Sequence, residues 1–259
     1  VTDDGVRIAM WSGPRNLSTA LMRSWGNRHD TVVSDEPLYA HFLRTTGRQH
    51  PEREAVLASM DDDWRRVTGR LTGPVPGGRA IWYQKHMTHH VTDYVELGWL
   101  GRLRNCFLIR APDEVIASYV RVREEPTLDD LGLLQQWRLF AHVADGGAVP
   151  PVIDAADVLR GPRTVLTATC EALGVPFSDR MLWWPPGRRR TDGVWADHWY
   201  GSVERSTGFA PYRPTTVDLD DRHTALLGAA QQIYDRLAAH RVVTVMPEPP
   251  VSQQGRTPP

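Results

Sequence analysis

The sequence predicts an α/β protein: a central, mostly parallel sheet flanked by helices. Three observations predict it. Short apolar runs of strand length alternate with amphipathic helical segments, as in strands joined by crossover helices. The runs are apolar at nearly every position, as strands covered on both faces must be. Polar clusters at 12–19, 35–37 and 110–118 follow three of these runs. Those are the carboxyl ends of strands, where parallel sheets bind ligands.

Val6-Arg7-Ile8-Ala9-Met10-Trp11 reads as the first strand and ends at Ser12-Gly13-Pro14. Leu17, Ala20, Leu21, Ser24 and Trp25 then recur at helical spacing. Residues 31–34 form a second strand, and 52–70 a helix with charges on one face. The Gly- and Pro-rich stretch 73–78 is a connector. Residues 80–84 and 106–109 are the third and fourth strands. Pro112 opens a helix at the position proline tolerates best, with Val115, Ile116, Tyr119 and Val120 as its apolar face. Another amphipathic helix spans 128–143, and 152–154 is a fifth strand. A helix over 163–173 stops at Gly174, a residue suited to the left-handed turn after a helix. Residues 183–214 show no clear period, and 219–237 form the last helix. The expected organisation is one domain over 1–246 and a disordered tail over 247–259.

The chain has 259 residues, 41% hydrophobic and 24% charged, enough to build a sizeable core. A net charge of −1 carries no electrostatic footprint for nucleic acid. No apolar run reaches the length of a membrane span, and no signal-peptide core opens the chain. The expectation is a cytoplasmic protein with neither nucleic acid nor membrane as partner. Cys106 and Cys170 are unclustered. They read as buried thiols, not as a disulfide framework or a zinc site.

The loop Ser12-Gly13-Pro14-Arg15-Asn16-Leu17-Ser18-Thr19 lies between a strand and a helix N-terminus. Free N–H groups and the positive end of the helix dipole make such a loop an anion site. Arg15 adds a fixed charge, and Ser18 and Thr19 add hydroxyls. The nucleotide-kinase pattern would place Gly-Lys-Ser/Thr where Ser18-Thr19-Ala20 stand. The lysine and the magnesium-binding hydroxyl are missing, so the loop suits an anion without a bound metal. A plain capped helix after a turn is the alternative. Arg110 ends the fourth strand and Ser118 lies on the following helix, where both could face a phosphate.

In this order the two clusters resemble the sulfotransferases that use 3′-phosphoadenosine 5′-phosphosulfate (PAPS), bacterial small-molecule members among them. Pro14-Arg15-Asn16-Leu17-Ser18-Thr19 is similar to that family's 5′-phosphosulfate loop, roughly Pro-Lys/Arg-Ser-Gly-Thr/Ser-Thr. The stretch from Arg110 to Ser118 is similar to its 3′-phosphate motif, roughly Arg-Asp-Pro-x-Asp-x-x-x-Ser. Asn16-Leu17 replaces the usual Ser-Gly, and Ala111 replaces the first Asp of the second motif.

The resemblance implies a P-loop-type sulfotransferase architecture and a sulfuryl transfer from PAPS to a small-molecule acceptor. The acceptor group would be a hydroxyl, or less readily an amine, and the second product 3′-phosphoadenosine 5′-phosphate (PAP). No metal is required. Arg15, Asn16, Leu17, Ser18 and Thr19 would hold the 5′-phosphosulfate, and Arg110 and Ser118 the 3′-phosphate. Glu36, in Asp35-Glu36-Pro37, matches the catalytic Glu of some bacterial members. Lys85-His86 resembles a Lys-x-His segment offset by one residue, with His89 and His90 as substitutes. Glu36 is the expected base in preference to His86, and Lys85 is expected at the leaving oxygen. A C-terminal basic loop would close on the nucleotide through Arg188 or through Ser206-Thr207-Gly208. The aromatic residues Trp195, Trp199 and Tyr200, near His198, would stack on adenine or wall the acceptor. The alternatives are an ATP-dependent small-molecule kinase and a nucleotide-binding protein without catalysis. Homo-oligomers are compatible with this reading.

Overall fold

The structure is a computed structural model that describes residues 5–121, 125–213 and 219–242; the expected tail at 247–259 lies outside them. In chain order the elements begin with β1 (Val6–Ser12), α1 (Ser18–Gly26), β2 (Thr31–Asp35), α2 (Tyr39–Thr46), α3 (Arg53–Ser59), α4 (Trp64–Leu71) and β3 (Ile81–Met87). They continue with β4 (Arg104–Ile109), α5 (Pro112–Val120), α6 (Leu128–Leu131), α7 (Leu133–Asp145), β5 (Val152–Asp154), α8 (Ala155–Arg160) and α9 (Pro162–Ala172). Two single-turn helices, α10 (Ala196–Trp199) and α11 (Gly201–Glu204), precede the long α12 (Thr224–Ala238).

As the sequence predicts, the five strands form one parallel sheet; its strand order is β2-β3-β1-β4-β5. β1 is central, with Trp11 beside His86 of β3 and Phe107 of β4. The chain leaves β1 for one side of the sheet and later returns to the other. Loops after β1 and β4 therefore part at the switch point of the sheet, where a crevice forms.

Strand alternation sorts the core into two layers. Ile8, Met10, Ile81, Tyr83, Cys106 and Leu108 pack under α1, α2 and α9. Ala9, Trp11, Trp82, Phe107 and Ile109 pack under α4, α5, α7 and α12 on the opposite face. Each central strand is buried on both sides, which is why its run carries so few polar residues.

Several predicted elements differ in extent: the last helix, expected from residue 219, starts at Thr224, and the fourth strand, expected from 106, starts at Arg104. The helix expected over 52–70 is two helices, because Met60 is extended and Asp63 caps α4 by accepting the Arg65 N–H. The helix expected over 128–143 is broken at Gly132, whose φ of 70° ends α6. The third strand continues beyond residue 84 through Lys85, His86 and Met87.

Candidate active site

A cavity of about 750 Å³ opens at the carboxyl ends of β1, β2, β3 and β4. The β1–α1 loop forms one wall. A Cβ on Gly13 would lie 2.3 Å from the Leu131 carbonyl oxygen, so only glycine lets the loop pass α6. Arg15 follows with a φ of 60°. Its Nε donates to Ser118 Oγ at 3.0 Å, and Arg110 donates back to the Arg15 carbonyl at 2.8 Å. Arg110 also pairs with Glu114. The two predicted phosphate motifs are thus joined by direct hydrogen bonds between the segments that follow β1 and β4. Asn16 donates to the Leu108 carbonyl, which fixes the loop on β4. Helix α1 starts at Ser18 with no capping side chain and no acidic residue in its first turn. Residues 14–20 all line the cavity, so the open helix end and its N–H groups lie in the cavity wall.

The opposite wall centres on Lys85. Its side chain is 1% exposed and lies 2.8 Å from Asp35 Oδ1, 2.5 Å from Glu36 Oε1 and 2.8 Å from the Tyr200 hydroxyl. These three acceptors use all three ammonium donors. Burial alone would lower the Lys85 pKa; the Asp35 and Glu36 carboxylates more than offset it and hold the ammonium well above its usual range. Burial raises the Glu36 carboxyl above its usual pKa, against the pull of Lys85 and with the support of Asp35. Glu36 has a φ of 45°, and its N–H donates to the Lys85 carbonyl at 2.9 Å. The strained turn ends β2 and lets Glu36 line the cavity while Asp35 stays buried.

Beyond Glu36 the wall is aromatic. Tyr39 stacks on His90 with ring centroids 4.6 Å apart, and its hydroxyl is hydrogen-bonded to His50 Nδ1 at 2.9 Å. His90 Nε2 stands 3.9 Å from Glu36 Oε2. Burial keeps His89 and His90 neutral: the His89 pKa falls to about 3 and that of His90 well below its usual value. The C-terminal segment supplies Trp195, His198, Trp199 and Tyr200 to the same cavity. It is fastened from beneath. Arg23 pairs with Asp192 through both guanidinium ends at 2.5 and 2.7 Å, and Gly193 N–H donates to Asp35 Oδ2 at 3.3 Å. The Tyr200 hydroxyl donates to Asp35 and accepts from Trp195 Nε1 at 3.2 Å.

The structure therefore brings together Arg15, Asn16, Leu17, Ser18, Thr19, Glu36, Lys85, Arg110 and Ser118. It does not bring His86 to them. Lys85 and His86 are neighbours on one strand and point to opposite faces. His86 stacks on Trp11 at 4.2 Å in the other core layer, 3.2 Å from Gln84 Oε1, and burial lowers its pKa to about 3, with a contribution from Lys85. The C-terminal candidates also lie elsewhere. Arg188 is exposed and paired with Asp197. Ser206 accepts from Trp184 Nε1, the Thr207 carbonyl accepts from Trp184 N–H, and Gly208 bridges to Trp183. That turn fastens residues 183–184 and lines no part of the cavity. Sequence reasoning gives no role to Asp35, His50 or Asp192. Asp35 sits beside Glu36 at a strand end, a usable signal; the Arg23–Asp192 pair spans 169 residues and leaves none.

Solved structures share this architecture. The chain is 16% identical to "Sulfotransferase Domain from the Curacin Biosynthetic Pathway", with a TM-score of 0.53 and coverage of 90% of this chain and 98% of that one. A sulfotransferase from Alicyclobacillus acidocaldarius gives 15% identity and a TM-score of 0.51, over 92% and 97% of the two chains. Two curated proteins of Arabidopsis thaliana, branched-chain-amino-acid aminotransferase-like proteins 1 and 2, are 37% and 31% identical over 90% of this chain. This chain spans about two-fifths of their length, 42% and 41%. The family model described as "Sulfotransferase domain" matches residues 6–241, from the first strand to the end of the last helix, and the chain belongs to that family.

Proposed function

We propose that this domain transfers the sulfuryl group of PAPS to a hydroxyl, or less readily an amine, of a small molecule. The observation that carries the reading is one cavity that joins an uncapped helix N-terminus, Arg15 and Arg110 of the two motifs, and the half-buried Glu36 carboxylate of raised pKa. The α1 N–H groups, Arg15, Ser18 and Thr19 would hold the 5′-phosphosulfate. Arg110 and Ser118 would take the 3′-phosphate. The acceptor would enter between Glu36 and the aromatic wall of Tyr39, His90 and Trp195.

In this reading the acceptor oxygen forms a bond to sulfur while the bond from sulfur to the phosphate oxygen breaks. The acceptor proton passes to Glu36. Negative charge grows on the leaving phosphate of PAP, beside the α1 N-terminus and Arg15, where fixed donors stabilise it most. Lys85 commits its three donors to Asp35, Glu36 and Tyr200. We therefore assign it to the orientation of Glu36 and not to the leaving oxygen.

The test is a calorimetric titration with PAP in EDTA, followed by transfer assays with PAPS on an acceptor panel. PAP is expected to bind in the micromolar range, about −8 kcal/mol, and more tightly than ATP with magnesium. With an accepted substrate, Glu36→Gln is expected to lower kcat by roughly 10²–10⁴-fold, the range of general-base catalysis, with PAP affinity nearly unchanged. Tighter binding of ATP than of PAP would overturn the donor assignment. Wild-type turnover in Glu36→Gln would overturn the base.

A further inference from the structure

A second cleft, of about 570 Å³, lies beside the edge strand β2. The end of α1, the turn at 76–79 and the segment 185–191 enclose it, and it shares no lining residue with the first cavity. Its volume is that of a small-molecule site.

The charge in this cleft is one-sided. Arg79, Arg189 and Arg190 all line it, and no Asp or Glu among the described residues does. Most arginines elsewhere in the described residues are paired with a carboxylate: Arg28 with Asp30, Arg66 and Arg70 with Asp61, Arg163 with Asp179. Among the described residues, the three here are not. Arg79 donates to the His29 carbonyl and Arg189 to the Pro185 carbonyl, bonds that position a guanidinium and leave its charge whole. A fourth arginine in the wall, Arg23, is committed to Asp192. Three uncompensated guanidiniums around one concave surface repel one another, and a multiply charged anion relieves that repulsion. This happens in a protein whose net charge is −1, so a general excess of positive charge does not explain it.

We propose that this cleft is a second binding site, for a small phosphate-bearing molecule with at least two negative charges. Guanidinium forks grip phosphate oxygens in pairs. Val33 of β2, on the α1 side of the sheet, offers apolar surface to the rest of the ligand. The basic run at 188–190 is thus divided: Arg188 serves an outer ion pair, while Arg189 and Arg190 face the second cleft.

The probe is inorganic pyrophosphate, titrated calorimetrically into wild type, R79A/R190A, R190E and R15A/R110A. Arg79 and Arg190 are exposed, so their replacement leaves the core intact. The R15A/R110A protein removes the two phosphate-motif arginines of the first cavity, leaving there Arg48 and Lys85, each paired with a carboxylate, and is expected to keep a pyrophosphate site. R79A/R190A and R190E are expected to weaken that site by about tenfold or more, the worth of at least one charge-assisted hydrogen bond, with PAP affinity unchanged. Loss of pyrophosphate binding in R15A/R110A, or equal binding by wild type and R79A/R190A, overturns the proposal. The site does not rest on the transfer reading: failure to bind PAP sinks that reading and leaves this one to its own titration.

Discussion

Replacing His86 by Phe is expected to make the protein less sensitive to acid. The imidazole is buried against Trp11 with a pKa of about 3, against 6.5 for a free side chain. As pH falls, the unfolded chain takes up this proton first and the folded chain does not. The stability that His86 contributes is therefore complete above about 6.5 and is lost progressively toward 3. Integrated from pH 7 to pH 5, one such group costs about 2 kcal/mol. His89 is lowered for the same reason, and it adds to the total fall in the wild type and the variant alike. Phe keeps the ring stacked on Trp11 and has no proton to bind. The assay is guanidinium unfolding of both proteins at the two pH values. The fall in stability should be smaller in His86→Phe by about 2 kcal/mol, at equal denaturant slope. Parallel falls would show that His86 is protonated in the folded state, and the burial argument would fail. Turnover of His86→Phe at pH 7 should stay close to wild type, since the side chain lies outside the cavity.

Arg110→Ala and Ser118→Ala should weaken PAP far more than adenosine 5′-phosphosulfate, which lacks the 3′-phosphate, by roughly 1.5–3 kcal/mol for each hydrogen bond to the charged phosphate; equal effects on the two nucleotides would remove the 3′-phosphate assignment. Lys85→Met leaves Asp35 and Glu36 without their buried counter-charge and should cost about 3–5 kcal/mol in chemical denaturation. A loss below about 1 kcal/mol, the worth of an exposed pair, would mean that water reaches the cluster. Tyr200→Phe removes the hydroxyl shared by Lys85, Asp35 and Trp195 and should cost about 1–3 kcal/mol by the same measurement.

The sheet was legible because its strands are buried on both faces and so read as unbroken apolar runs. Where a strand stops being apolar, legibility ends. Lys85 and His86 extend β3, yet a lysine belongs in a buried strand only when Asp35 and Glu36 wait across from it, a fact of the folded chain. Helix breaks were hidden by composition. Asp61-Asp62-Asp63 reads as a charged helical face, but Asp63 caps the next helix, and Asp61 takes Arg66 and Arg70 as partners. The β1–α1 loop and Arg110–Ser118 could be read as a pair because each stands next to its own strand end. The C-terminal wall could not be read in the same way. Ser206-Thr207-Gly208 looks like a binding turn and serves to hold Trp184. Tyr200 and Trp195 do reach the cavity, through a hydrogen-bond chain to Asp35 that no local pattern encodes.

The fastening of residues 192–200 to Asp35 and Arg23 separates integrity of the sheet from integrity of the site. All five strands are complete by residue 154, whereas the cavity acquires its last wall some forty residues later. A lesion that unseats the wall, such as loss of the Arg23–Asp192 pair, spares every strand hydrogen bond and exposes the Lys85 cluster to water. Such a protein would give an ordinary circular dichroism spectrum in the far ultraviolet. Its defect would show in rapid amide exchange or early proteolytic cleavage confined to residues 187–205. In a set of inactive variants, spectral evidence of folding would therefore not mark a residue as chemical in role; the state of this wall would have to be read first.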